Sequence, residues 1–498
     1  MPSLKCARPA GLTPPVVVLA SLGLAALALG AARLKFALTE PLWFDEAFTL
    51  AIVAPPDGAS FWREVYLDPN GPAYYLFERA WTGLFGFSNL ALRTPSLLAL
   101  WISAALPLAI PVRGLTREAQ ITWAALIFAW WGVGYFLDAR CYAILLAVST
   151  LQTLAFGRLI DRPGLRLASI WAATAAAAIL LHYYALFLGL AQGLIYLWRH
   201  RWTAVRTWPA TLAFLPAFAW IAHHAPRLVE YSELGSVWHP AVTAQGVFTL
   251  TAFSLAPSNA TVSATVATIL IVGLLAARNS SMPPGHDEGA SSDHLILTAI
   301  AGLIAFAFIV GFGLLGSGLS PRYLLPVAPS LLLGVVLVAG AGARPHVAWT
   351  ALVILYFAIQ IRPIADALSS PHALPRYEFE TGANFLMAHD VTDVVFVWDH
   401  EVSPIIATST LTRLGGVFFD RADRPVRVRP LRVTRQQDPN LQIAAEVQGR
   451  RSGFIWLYNR KGKTAANRFP PILGKGDARW DCAQQGEGDA GALACRLR

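Results

Sequence analysis

The sequence predicts an all-α polytopic membrane bundle of about eleven transmembrane helices, followed by a small extramembrane α/β domain. Three observations predict it. Only 14% of the 498 residues are charged, against roughly a quarter in soluble domains. Apolar runs close to the ~20 residues that cross a bilayer recur from residue 14 to residue 361. Beyond residue 362 the composition turns polar, and short β-type segments replace the long runs.

The runs lie at about 14–34, 91–111, 121–137, 141–157, 168–182, 183–198, 207–222, 261–277, 294–315, 322–341 and 346–361. The first follows Lys5 and Arg8. Arg33 and Lys35 come after it with no small-residue cleavage pattern, so it reads as a retained span. The expected division is a membrane domain over 1–361, with an outer loop at 35–90, and an extracytoplasmic α/β domain over 362–498. Within the second, ANFLMAH reads as helix, and DVVFVW and GFIWLYN read as strands. The segment 278–293, rich in Ser, Gly and Pro, reads as a cytoplasmic linker.

The net charge is +9, which in a soluble protein would suggest nucleic acid. Here the basic residues sit in short loops between apolar runs, so orientation explains them and no nucleic-acid partner is expected. Arg113 and Arg117, then Arg158, Arg162 and Arg166, then Arg199, Arg201 and Arg206, and finally Arg278 and Arg344 fall on one side together with the N-terminus. The positive-inside rule makes that side cytoplasmic. The opposite side gathers Asp45, Glu46, Asp68, Glu78, Asp138, His182, His223, His224 and His239. The stretch 40–90, rich in aromatics and prolines, reads as short amphipathic helices lying in the interface.

Of the four cysteines, Cys482 and Cys495 share the polar tail. An oxidising compartment favours a disulfide between them, and two free thiols are the alternative. No CxxC or Cys/His zinc spacing is present.

Five motifs carry chemistry. In EPLWFDEAFTL, Asp45 and Glu46 are adjacent and cannot share a helix face. One can face a cavity while the other pairs locally, or both can simply favour a helix N-terminus. In YLDPNGPAYYLFERAW, Asp68 to Pro72 forms a rigid turn ahead of Tyr74 and Tyr75. In YFLDARCYAILL, Asp138 is placed to cap the next helix, which leaves Arg140 at an unfavourable helix end that calls for an anionic partner. HYYALFL sets His182 and Tyr183 at a span boundary. In SPRYLLPVAP, Ser320 as cap and Pro321 as first helical residue start a helix at Arg322 and Tyr323.

In this order the motifs WFDEA, DPNGPAYYL with LFGFSNLALRTPSLL, DARCYAILL, HYYALFL and SPRYLLPVAP resemble the bacterial GT-C glycosyltransferases, in particular the protein-mannosyltransferase-like and aminoarabinose-transferase-like members. The resemblance covers residues 10–360 and, more loosely, the tail. The family turn often has two prolines, the first of which is Gly71 here. The resemblance implies a polyprenyl-phosphate-linked sugar as donor, a hydroxyl of a lipid, glycan or protein as acceptor, and an active site on the extracytoplasmic face of the plasma membrane. It makes Asp45 the first choice for the base, with Glu46 and Asp138 as supporting carboxylates. Asp68, Tyr74, Arg140, His182, Tyr183, Arg322 and Tyr323 become candidates for substrate and carrier phosphate. A divalent metal bridging Asp45 and Asp138 is compatible with the motifs but not required by their spacing.

Two other classes compete. A transporter or flippase of lipid carrier or polysaccharide places ionisable residues near the bilayer midplane. The predicted span interiors hold no Asp or Glu, which argues against it. A catalytically inactive lipid-binding relative is opposed by the intact Asp45, Glu46 and Asp138.

Overall fold

The computed structural model describes residues 14–130, 137–235, 243–255, 293–317, 319–341, 344–369, 379–400, 408–432, 443, 445–447, 451–459, 480–485 and 490–498. The expected span 261–277, His239 and nearly all of the linker 278–293 lie outside the described residues.

Helix α1 (Pro14–Thr39) ends where Pro41 removes a donor and restricts the residue before it. Three short helices fill the outer loop: α2 (Phe44–Val53), α3 (Gly58–Leu67) and α4 (Pro72–Phe85). Asp57 caps α3 by accepting from the Ser60 N–H at 2.7 Å. Pro72 is the first residue of α4, where its missing N–H costs nothing. Then come α5 (Asn89–Ala109), α6 (Arg117–Trp130), α7 (Tyr142–Asp161), α8 (Leu165–Leu181) and α9 (Ala185–His200). A 3-10 segment (Arg201–Phe214) leads into α10 (Leu215–Gly235), followed by α11 (Ala244–Leu255) and α12 (Asp293–Phe312). A 3-10 turn (Pro321–Val327) opens α13 (Ala328–Gly340), and α14 (Pro345–Ser369) completes the bundle.

Among the described residues six helical segments are long and apolar enough to cross a membrane: Ser21–Thr39, Asn89–Ala109, Tyr142–Asp161, Asp293–Leu315, Pro321–Gly340 and Pro345–Ser369. The eleven expected spans are therefore not matched one for one. Helices α8 and α9, at 17 and 16 residues, are short. The run expected at 207–222 is divided: Pro209 cannot donate to an α-helical ladder, and regular α-helix resumes only at Leu215.

The bundle core is aromatic and aliphatic, with Trp123, Trp130, Leu332, Val336 and Tyr356 in one cluster. Small residues let helices approach. A Cβ at Gly302 would stand 2.6 Å from the Ser330 Cβ, so α12 and α13 cross there at close range.

The tail forms a mixed five-stranded sheet in the order β2-β1-β3-β5-β4, with β1 (Asp393–His400), β2 (Arg427–Arg432), β3 (Ser452–Asn459), β4 (Trp480–Gln485) and β5 (Ala490–Leu497). The first three strands are parallel, which requires a crossover, and α16 (Thr408–Arg421) supplies it between β1 and β2. Alternation along the strands divides the residues between two faces. Val395, Val397, Phe454 and Trp456 share one cluster. Val394, Phe396, Ile455 and Leu457 share another with α15 (Phe379–Ala388), α16 and, from the bundle side, Phe44, Leu50 and Ala51 of α2. The segments read from sequence as helix, strand and strand correspond to α15, β1 and β3. Cys482 and Cys495 are cross-strand partners on β4 and β5, bonded with Cα atoms 4.1 Å apart.

Candidate active site

Helix ends from five parts of the chain meet at one end of the bundle. Asp45 lies in the first turn of α2, and its Oδ2 is 3.2 Å from Nη1 of Arg322, at the start of the Pro321 turn. The Arg322 guanidinium stands 5.6 Å from the centroid of the Tyr142 ring, in the first turn of α7. Two residues earlier, Arg140 is buried and donates to the Tyr75 hydroxyl at 3.1 Å, with Asp68 Oδ2 at 3.9 Å. The anionic partner that Arg140 calls for is thus Asp68. Asp68 is itself shaped by its turn, with Oδ1 accepting from the Asn70 N–H at 2.9 Å and the Asn70 side chain at 2.7 Å.

The two adjacent carboxylates separate as helix geometry requires. While Asp45 meets Arg322, Glu46 is fully buried and its oxygens are saturated. Oε1 accepts from Arg93 Nε at 2.7 Å and from the Ala139 N–H at 2.9 Å. Oε2 accepts from Arg93 Nη2 at 2.6 Å and the Trp43 N–H at 3.1 Å. Glu46 therefore ties α2 to the loop that carries Asp138 and Arg140. Asp138 is buried in that loop, its carbonyl accepting from Ser96 Oγ at 2.8 Å. It does not occupy the cap expected of it: α7 starts at Tyr142 with Cys141 at the N-cap, three residues later, because a tight turn intervenes in which Arg140 N–H donates to Asp138 O.

Behind the charged groups lies an aromatic wall. His182 is buried in the turn between α8 and α9, with its ring 5.4 Å from Tyr323 and 5.7 Å from Tyr184. Tyr184 and Tyr323 stack at 4.2 Å. Burial, reinforced by Arg322 and Arg140, pushes the His182 imidazole down to about 3. It is neutral at any working pH and offers hydrogen bonds rather than charge.

Tyr183 turns the other way. Its hydroxyl accepts from Trp220 Nε1 at 2.8 Å and is 2.6 Å from His224 Nδ1. His224 Nε2 is 2.8 Å from the Tyr66 carbonyl. That carbonyl can only accept, so Nε2 carries the proton and Nδ1 accepts from Tyr183. This chain fastens α10 to the residues just before Asp68. Tyr74 is buried with its ring 5.5 Å from that of Tyr75, and its hydroxyl has no hydrogen-bond partner.

The structure gives roles to residues to which the sequence assigned none. Arg93, Tyr75, Tyr142 and His224 hold the predicted ones in place. Arg93 carried a signal, as an ionisable residue inside an apolar run. Glu78 stands apart from these: both its oxygens are buried without a hydrogen-bond partner. Burial pushes its carboxyl up to about 8, the nearby Tyr74 hydroxyl offsetting this only in part and Glu46 adding to it. Gly71 acquires a reason as well. A Cβ there would lie 1.9 Å from the Leu180 carbonyl, so the Asp68 turn seats against α8 only without a side chain. Among the described residues no three His, Cys, Asp or Glu side chains are grouped to hold a metal ion.

No family model matches the sequence, and no curated protein matches it. Among solved structures the chain is similar to ArnT from Cupriavidus metallidurans bound to undecaprenyl phosphate. The two share 12% identity over 97% of this chain and 98% of that one, with a TM-score of 0.50. The chain has the fold of ArnT. At this identity the likeness is one of fold, and it spans the bundle and the C-terminal sheet alike. The apo state of the same ArnT gives 11% identity, 96% and 97% coverage and a TM-score of 0.49. Arabinosyltransferase EmbB from Mycobacterium smegmatis gives 16% identity, 77% and 34% coverage and a TM-score of 0.39.

Proposed function

We propose that this protein is a membrane glycosyltransferase that moves a sugar from a polyprenyl-phosphate carrier to a hydroxyl acceptor on the extracytoplasmic face. The observation that carries the reading is the Asp45–Arg322 pair, with Arg140 and Asp68 beside it, at the junction of five helix ends. A carboxylate and two guanidiniums form the minimal set for displacing a phosphate from a sugar. The acceptor oxygen attacks the anomeric carbon and Asp45 takes its proton. The bond from that carbon to the phosphate oxygen breaks, and the electron pair leaves with the phosphate, where Arg322 and Arg140 stabilise it. Undecaprenyl phosphate bound to the similarly folded ArnT supports a donor of this class.

The other residues divide by their contacts. Glu46 and Asp138 set the geometry of Asp45 and Arg140 from behind. Asp68 with Tyr75 aims Arg140. Neutral His182 and Tyr323 stand beside the charged groups that would meet sugar and acceptor, and Tyr74 and Tyr183 brace them from behind. The exposed arginines at the other end keep that end in the cytoplasm of a bacterial inner membrane.

The test is transfer by the purified protein in vesicles supplied with polyprenyl-phosphate sugars and with lipids or glycans as acceptors. A lipid-linked sugar that accumulates in a deletion strain identifies the donor to use. Loss of sugar from that carrier, with equal gain in the acceptor, is the expected result. Carrier moved across vesicles with its sugar still attached would support a flippase instead.

A further inference from the structure

Between α1 and α2 the chain passes through Glu40, Pro41, Leu42 and Trp43 before reaching Asp45. Pro41 breaks the helical ladder, so the peptide groups here need partners from elsewhere. Each has one. The carbonyls of Glu40 and Pro41 accept from Arg93 at 2.6 and 2.9 Å. The Trp43 N–H donates to Glu46 at 3.1 Å. The Leu42 N–H, on a residue with no exposed surface, donates to Glu380 Oε2 at 2.5 Å.

Three of these four holds come from the bundle. The fourth comes from α15, beyond the last bundle helix. Glu380 is itself buried and fixed on both oxygens: Oε2 also accepts from Asn89 at 2.8 Å, and Oε1 pairs with Arg421 of α16. Arg421 closes the triangle by donating to Asn89 Oδ1 at 2.7 Å. The same docking surface adds Phe44 against Trp398 at 5.1 Å and Glu64 against Arg413 at 3.3 Å.

We infer that Glu380 is a positioning residue for Asp45, and that the C-terminal domain is thereby a working part of the transfer site. The inference rests on the glycosyltransferase reading. Glu380 touches no reacting atom. It fixes the backbone three residues ahead of the base, and a displacement near 1 Å at a reacting group can cost about 100-fold in rate.

The experiment combines kinetics with hydrogen exchange on the full-length protein. Glu380→Leu removes both the acceptor and the charge, whereas Glu380→Gln keeps an acceptor for the Leu42 N–H. The expected results are a kcat at least about 10-fold lower for Glu380→Leu with donor KM unchanged, and substantial recovery in Glu380→Gln. Amide exchange over residues 42–48 should quicken in Glu380→Leu while that of α12 stays the same. In an Asp45→Asn background the Glu380→Leu change should cost nothing further, since its effect runs through Asp45. Arg421→Gln, which frees one Glu380 oxygen, reads the same effect more weakly if Glu380→Leu does not fold. Unaltered exchange over 42–48, a raised KM at constant kcat, or losses additive with Asp45→Asn would each overturn the inference. Absence of any transfer by the wild-type protein would instead sink the functional reading, and the exchange result would still decide whether Glu380 holds this segment.

Discussion

Two sets of ion-paired arginines, one at each end of the bundle, are in opposite states. At one end the side chains of Arg93, Arg140 and Arg322 are 0%, 8% and 21% exposed, each facing a carboxylate. At the other, those of Arg113, Arg199 and Arg162 are 52%, 50% and 75% exposed, with carboxylates 3.6, 3.8 and 3.5 Å away. An exposed pair is worth about 0–1 kcal/mol, which suits residues that only mark a side of the membrane. Burying a charge is costly, and such pairs seldom add net stability. A cluster of buried pairs at one end therefore points to chemistry or its support rather than to holding the fold together.

Several substitutions break or sharpen this contrast. Arg93→Met should be the most damaging, because it strands the Glu46 charge with no exposed surface. A loss of about 3–5 kcal/mol is expected, read as folded yield and thermal midpoint, and changing both partners to apolar residues should restore part of it. A midpoint equal to that of wild type would show the pair to be dispensable.

Glu78 gives a pH signature at the same end. Its carboxyl is held up at about 8 against an ordinary 4.5. A raised carboxyl leaves stability intact below about 4.5, removes it progressively between 4.5 and about 8, where the unfolded chain is ionised and the folded one is not, and levels off above. Glu78→Gln should match wild type at low pH and exceed it by a few kcal/mol above pH ~8. Parallel stability curves across that window would contradict the assignment. Gly71→Ala should cost about 1–3 kcal/mol by pushing the Asp68 turn off Leu180, and should slow transfer as well. The smallest effects belong to the opposite end. Arg162→Ala and Arg199→Ala should stay within about 0.5 kcal/mol of wild type. Reporter fusions after residue 164 and at the C-terminus should mark opposite sides of the membrane.

The class of fold and several residues of the candidate site were legible in the sequence because both rest on local chemistry. Apolar length marks spans such as 142–161 and 345–369, and the composition change after 362 marks the sheet. Asp45 and Glu46 were bound to diverge, since adjacent residues on a helix point apart. What stayed hidden depends on contacts distant in the chain. Nothing near Arg93 says that it will close on a glutamate 47 positions away. Nothing near Glu380 indicates its hold on Leu42, 338 residues earlier. The Asp138 expectation failed for a local reason: an Asp ahead of a helix is a good cap only if no turn intervenes. The run 207–222 is divided because Pro209 lies within the 3-10 segment Arg201–Phe214 and cannot donate to an α-helical ladder.

Asp45 is proposed to take the acceptor proton at the buried-charge end of the bundle. Asp45→Asn keeps the size of the side chain and removes the base. Single-turnover transfer from the lipid-linked donor, measured beside donor binding and folded yield, tests this most directly. Transfer is expected to fall by about 100-fold or more, with binding and yield close to wild type. Near-normal transfer by purified Asp45→Asn protein would contradict it.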